Sequence, residues 1–214
     1  MDGTLTLPHL LDFDRMREAS GLAAGTPILQ GIESLPTPEQ RQQAWAAIEA
    51  IELESPPALQ PGLVELVSTL RALGVRMGIA TRNNPRAVNA LCAAAGLPAD
   101  TFDPVLTREG PHPDKPHPAV AHAACERWGL PPSACLFVGD SLDDMRCGRA
   151  AGMSTCLLTN ASPPSPTPTA TPTAAAAEEV EPLVAPAPLA DEVDFAVATL
   201  GELHAMVDDA VLPE

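Results

Sequence analysis

From Gln60 onward, short apolar runs alternate with stretches of helical spacing, only a few residues apart, and this rhythm constrains the fold more than anything else in the chain. "PGLVELVSTLRALG" places Leu63, Leu66, Val67, Leu70 and Leu73 on one helical face, with Pro61 near the start and Gly74 as a stop. "VRMGIA" reads as a short strand, "PRAVNALCAAAG" as a helix ending at Gly96, and "FDPVL" as a second strand. "HPAVAHAACERWG" predicts a helix closed by Gly129, "ACLFVG" a buried strand, "LDDMRCGRAAG" a helix closed by Gly152, and "STCLLT" another strand. Strand and helix alternating through short connections predict an α/β fold, a parallel sheet covered by helices.

Residues 7–57 break the rhythm. Phe13, Met16 and Leu22 suggest one helix, Ile28 to Leu35 a second, and "TPEQRQQAWAAIEAIELE" a third with Thr37 as its N-cap. No strand signal interrupts them, so the segment reads as a small helical insertion over the sheet. Residues 161–190 are rich in Pro, Thr and Ala without apolar periodicity, and the composition predicts a disordered loop. Regular structure is expected to resume with "VDFAVATLGELHAMV", an edge strand and a terminal helix. The expected organisation is a core of 1–6 and 58–160, an insertion of 7–57, a loop of 161–190, and a last strand and helix in 191–214.

Charge and cysteine content narrow the function. A net charge of −16 argues against a nucleic-acid partner or an anionic membrane surface. No apolar run is long enough to span a bilayer, and no secretory leader is legible. The five cysteines, Cys92, Cys125, Cys135, Cys147 and Cys156, form no Cys-x-x-Cys pair and are expected to pack in the core of a protein from a reducing compartment. His112, His117 and His122 cluster in "PHPDKPHPAVAH", but no helical i, i+4 pair exists, and a solvent-facing loop and helix start is the expected reading.

Chemistry in open parallel sheets gathers where loops leave the carboxyl ends of the strands. Four items stand at such ends: the Asp2-Gly3-Thr4 turn; Thr81 after "MGIA", followed by Arg82 and Asn83; Lys115 in "DKPHP"; and "FVGDSLDDM", with Asp140 at a strand end and Asp144 one helical turn on. Each has a plain structural reading, as turn, cap, surface charge or dipole partner. Lys115 is less easily dismissed, because it is the only lysine among 12 Lys and Arg residues. A compact, flexible ammonium suits a point contact between phosphate and carboxylate better than a planar guanidinium does.

Together and in this order, the four items resemble the haloacid dehalogenase superfamily, over residue 1 to about 159 and again at the C-terminal strand and helix. The resemblance implies a Rossmann-like core with helices on both faces and a small helical cap, residues 7–57, inserted after the first motif. It further implies hydrolysis of a small phosphorylated metabolite through an aspartyl-phosphate, with Mg²⁺ as cofactor. Carried over by position, Asp140 is a direct Mg²⁺ ligand, Asp144 supports the ion through water, and Asp2 gives its main-chain carbonyl to the metal and its side chain to acid–base work. Thr81 and Lys115 are implied to hold the phosphoryl group, and Arg82 and Asn83 stand near enough to join them. Phe13, Met16 and Arg17 are the cap residues expected to set specificity.

One element of the family pattern is not in these residues. The nucleophile should be an aspartate two positions before Asp2, at the end of a central strand lying between the strand ending at Thr81 and the one ending at Asp140. The expectation is that the sequence starts late, at an internal methionine, and that a longer product carries that strand, with an organelle transit peptide conceivable ahead of it. The alternative is a non-catalytic protein that binds Mg²⁺ or a phosphorylated ligand, or a scaffold. The expected location is the cytoplasm or an organellar stroma or matrix, with no secretion; oligomeric state is not legible.

Overall fold

The computed structural model describes residues 1–8, 12–54, 57–160 and 192–211. The Pro/Thr/Ala-rich stretch 161–190 lies outside them. The alternation read from Gln60 onward is present, with most strands shorter than their apolar runs. Helix α4 (Leu63–Ala72) leads to β1 (Ile79–Ala80), α5 (Pro85–Ala94), β2 (Val105–Leu106) and α6 (Ala119–Trp128). Next come β3 (Leu136–Gly139), α7 (Leu142–Ala151), β4 (Ser154–Leu158), β5 (Phe195–Val197) and α8 (Leu200–Val211). All strand pairs are parallel.

The sheet comes in two pieces. β1 pairs with β2, and separately β3, β4 and β5 pair in that order, with β5 at an edge as expected. Among the described residues no strand lies between β1 and β3. Residues Gly78 to Ala80 of one piece and Leu136 to Val138 of the other line a single narrow cavity of about 90 Å³. β1 is shorter than "VRMGIA" because a strand paired on one side only has half its ladder to extend along.

Alternation along each strand sorts the core into two faces. Ile79, Val138, Cys156, Leu158 and Val197 point into a cluster built with α4, α5 and α8. Ala80 and Phe137 face α6 and α7, while Leu157 and Ala196 pack with Met145 of α7 on that same side. Leu63, Leu91, Leu158 and Leu200 are each at most 1% exposed, and burying a side chain of that size contributes about 2–3 kcal/mol. All five cysteines are free and buried, as the spacing suggested. Burial pushes the Cys156 thiol up to about 12, which keeps it inert.

The helical segment folds as α1 (Phe13–Ala19), α2 (Ile28–Glu33) and α3 (Pro38–Glu54). Thr37 caps α3 reciprocally: its hydroxyl accepts from the Gln40 amide and its own amide donates to the Gln40 side chain, each at 3.2 Å. Met16, Ile32, Ala44, Ile48 and Ile51 form a separate apolar cluster. No described helix is long and apolar enough to cross a membrane.

Candidate active site

The first turn is set by glycine chemistry. Gly3 has φ +73°, and a Cβ there would stand 2.1 Å from Asp140 Oδ2, so both conformation and space exclude a side chain. Its carbonyl is held by Gln60 Nε2 at 3.1 Å and Asn160 Nδ2 at 2.8 Å. This brings Thr4 against the end of β3, where Thr4 Oγ1 donates to Asp140 Oδ1 at 2.6 Å. The turn is therefore docked on the end of β3.

Asp144 is placed by a capping box at the start of α7. The Ser141 hydroxyl accepts from the Asp144 amide, and the Asp144 carboxylate accepts from the Ser141 amide. The other Asp144 oxygen takes a bond from Lys115 Nζ, which also donates to the Ala80 carbonyl at 3.2 Å. Lys115 and Asp144 side chains are 12% and 7% exposed, so this is a nearly buried ion pair. Burial alone would raise the Asp144 carboxyl, but the charge and hydrogen bond of Lys115, with Ser141, hold it below the usual carboxylate range. Asp140 goes the other way. Burial pushes it up, the Thr4 bond offsets part of that, and the Asp144 charge adds to it.

Thr81 follows β1 and accepts the Asn83 amide on its Oγ1 at 3.1 Å, which leaves its hydroxyl proton free to donate among the described residues. Asn83 Nδ2 donates to Asp2 Oδ2 at 2.7 Å, and Thr6 Oγ1 to Asp2 Oδ1 at 3.3 Å, so the Asp2 carboxylate is oriented from two sides. Arg82 is turned to Asp143 at 2.6 Å and to the Lys115 carbonyl.

All seven residues singled out from sequence, Asp2, Thr81, Arg82, Asn83, Lys115, Asp140 and Asp144, line one cavity of about 680 Å³. Phe13, Met16 and Arg17 line it too, from the helical segment. His112, His117 and His122 do not line it: His117 is exposed and spends Nδ1 on the Ala119 amide at 3.2 Å. Thr4 and Ser141 stand inside the quoted motifs, but sequence reading gave them no role, although Ser141-x-x-Asp144 is a recognisable N-cap signature. It also missed Glu52, Asn84 and Arg108, which no local pattern connects.

Those three tie the helical segment to the sheet. Arg108 donates to Glu52 of α3 at 2.8 and 3.3 Å, both side chains being 9% exposed. Asn84 Nδ2 adds a bond to Glu52 at 3.1 Å, and the Arg108 guanidinium sits 4.6 Å from the Trp45 ring centroid. Removing one partner of such a pair strands the other charge. Glu52→Ala is expected to cost about 3 kcal/mol, or about 6–12 °C in melting temperature. A Glu52→Leu/Arg108→Met double variant should recover most of that loss; equal melting points for parent and single variant would remove the clamp from the picture.

No three His, Cys, Asp or Glu side chains converge as a complete metal shell among the described residues. What the site offers is a set of hard oxygens around a half-buried acid, Asp140, pushed up partly by its acidic neighbour. A cation relieves such a load, and Mg²⁺ accepts carboxylate and main-chain oxygens completed by water. The donor set fits that ion.

The haloacid dehalogenase-like hydrolase family profile matches residues 1–152. The uncharacterized hydrolase YOR131C of Saccharomyces cerevisiae is 37% identical over 165 residues, covering 75% of each chain. A haloacid dehalogenase-like hydrolase domain-containing protein of Arabidopsis thaliana, At2g33255, is 36% identical over 172 residues, 74% of this chain and 68% of that one. Among solved structures, CbbY from Rhodobacter sphaeroides, crystallised with phosphate, superposes with a TM-score of 0.59 at 22% identity, covering 90% of this chain and 80% of that one. The α/β fold, the order of the motifs and these matches agree: the chain belongs to the haloacid dehalogenase-like hydrolase family.

Proposed function

We propose that this protein is a Mg²⁺-dependent phosphatase of small phosphomonoesters, working through an aspartyl-phosphate, with residues 7–57 as the cap over its site. The observation that carries the reading is the convergence of the only lysine, the Thr81 hydroxyl and the Asp2, Asp140 and Asp144 carboxylates on one cavity. Mg²⁺, when bound by Asp140, the Asp2 carbonyl and water held by Asp144, would neutralise charge between an attacking carboxylate and the phosphate. Lys115 has a third N–H beyond those given to Ala80 and Asp144, and this donor suits a phosphoryl oxygen. Thr81 donates its free hydroxyl to a second phosphoryl oxygen. Asp2, oriented by Asn83 and Thr6, protonates the leaving alcohol and then takes a proton from the hydrolytic water. Arg82, engaged with Asp143, shapes the rim more than it contacts phosphate.

The attacking carboxylate itself is assigned to the position two residues ahead of Asp2, outside the 214 residues, so turnover is proposed to need that residue. The cap walls and the clamp between Glu52 and Arg108 limit the cavity to compact substrates, which points to a small metabolite. The test is hydrolysis of p-nitrophenyl phosphate and a panel of natural phosphomonoesters with and without Mg²⁺, on residues 1–214 and on a form that carries the missing strand and aspartate. Magnesium-dependent release of phosphate by the longer form is the expected result. Silence of both forms across the panel would overturn the reading in favour of a non-catalytic ligand-binding or scaffold protein.

A further inference from the structure

Four cationic side chains line the cavity, and three of them are spent on carboxylates that line it too. Lys115 is paired with Asp144, Arg108 with Glu52, and Arg82 with Asp143. Arg17 differs. Its side chain is 22% exposed, yet its anionic partner, Asp14 at 2.6 Å, is 92% exposed and lies outside the cavity lining. Solvent screens such a pair heavily, so it cancels little of the guanidinium's charge. The Arg17 Nε–H donates to the Thr26 carbonyl at 3.0 Å, which fixes the head group against the loop before α2. Among the described residues nothing is bonded to its second terminal nitrogen. Apart from Gln30, the other residues that α1 and the start of α2 give to the lining are apolar, Phe13, Met16, Pro27, Ile28 and Leu29, and apolar walls strengthen an uncompensated charge.

Resting on the phosphomonoester reading, we propose that Arg17 is a specificity-determining residue, and that the substrate is a phosphomonoester bearing a second anionic group, a carboxylate or another phosphate, which Arg17 binds from the cap. A guanidinium with two free N–H donors matches either oxyanion. The core holds the phosphoryl end, and the cap reads the acid at the other.

The experiment is equilibrium binding to residues 1–214 in Mg²⁺ by titration calorimetry, with matched ligand pairs. Orthophosphate tests the underlying site. 3-Phosphoglycerate against glycerol 3-phosphate tests a carboxylate at the far end, and fructose 1,6-bisphosphate against fructose 6-phosphate tests a phosphate. A preference of about tenfold or more for the doubly anionic member of one pair is expected, and the pair that shows it names the group. Arg17→Gln should bring that preference close to unity. Asp14→Asn, at a side chain that is 92% exposed, should raise it about two- to threefold by removing the competing anion. If orthophosphate binds and neither pair shows a preference, or if both variants keep the parental ratio, the role of Arg17 is overturned while the phosphate site stands. If orthophosphate and every other ligand fail to bind, the phosphatase reading falls and takes this one with it.

Discussion

Extending the chain ahead of Met1 with one apolar strand that ends in Asp, so that the junction reads Asp-Met-Asp-Gly-Thr, is expected to raise p-nitrophenyl phosphate hydrolysis from background by about 10⁴-fold. The magnitude is the lower end of what losing one member of a catalytic unit costs in an otherwise intact site. The geometry around the gap gives the expectation its structural content. β1 and β3 end at Ala80 and Gly139, just before Thr81 and Asp140, belong to separate sheet pieces, and line one narrow cavity that Met1 also lines. A strand parallel to both would pair with the edges of β1 and β3 that have no partner among the described residues, and deliver its last residue beside Lys115 and Asp140. Stability supplies an independent readout. The same extension ending in Asn should raise the melting temperature by several degrees, about 2–4 °C for each kcal/mol gained, while turnover stays at background. Equal turnover from the Asp and Asn forms would show that the attacking group lies elsewhere, and no gain in stability from either would mean that the strand does not enter the sheet.

The sequence made the site more legible than the sheet. Thr81 and Asp140 directly follow strands, Asp144 lies in the first turn of α7, Asp2 opens a glycine turn and Lys115 lies in the turn ahead of α6, and all of them reach the same cavity. Thr37, Gly129 and Gly152 end or begin helices for reasons of local chemistry, so those boundaries were readable. Strand lengths were not, because apolar runs such as "VRMGIA" report burial whereas pairing depends on what lies alongside. Only Ile79 and Ala80 of that run form a strand. Arg82 was expected near phosphate, and its pairing with Asp143, 61 residues away, has no signature in a single sequence. The clamp between Glu52 and Arg108 is invisible for the same reason, and so is the imbalance that leaves Arg17 without a buried counter-charge.

Replacing Asp140 with Asn is expected to trade function for stability, in opposite directions under two conditions. In the extended form it should lower Mg²⁺-dependent turnover by about 10³-fold or more, because one direct carboxylate is lost from a hard-cation site. On residues 1–214, saturating Mg²⁺ should raise the parent's melting temperature through linkage, a gain of about 2.7 kcal/mol at a hundredfold excess over the dissociation constant. The variant should show almost none of it. In metal-free buffer the order reverses. Burial and the neighbouring Asp144 charge push the folded-state Asp140 carboxyl above its unfolded value, so the folded protein binds a proton there more readily than the unfolded chain does. The penalty of the ionised form is absent well below the unfolded value near 4, appears as pH rises through it, and persists at neutral pH. Asn carries no charge, and its side-chain oxygen can still accept from Thr4. Asp140→Asn should therefore melt above the parent at pH 7 in chelator, with the difference vanishing near pH 3. A variant that melts below the parent at pH 7 without metal, or that still gains stability from Mg²⁺, would remove Asp140 from the ion's first contacts.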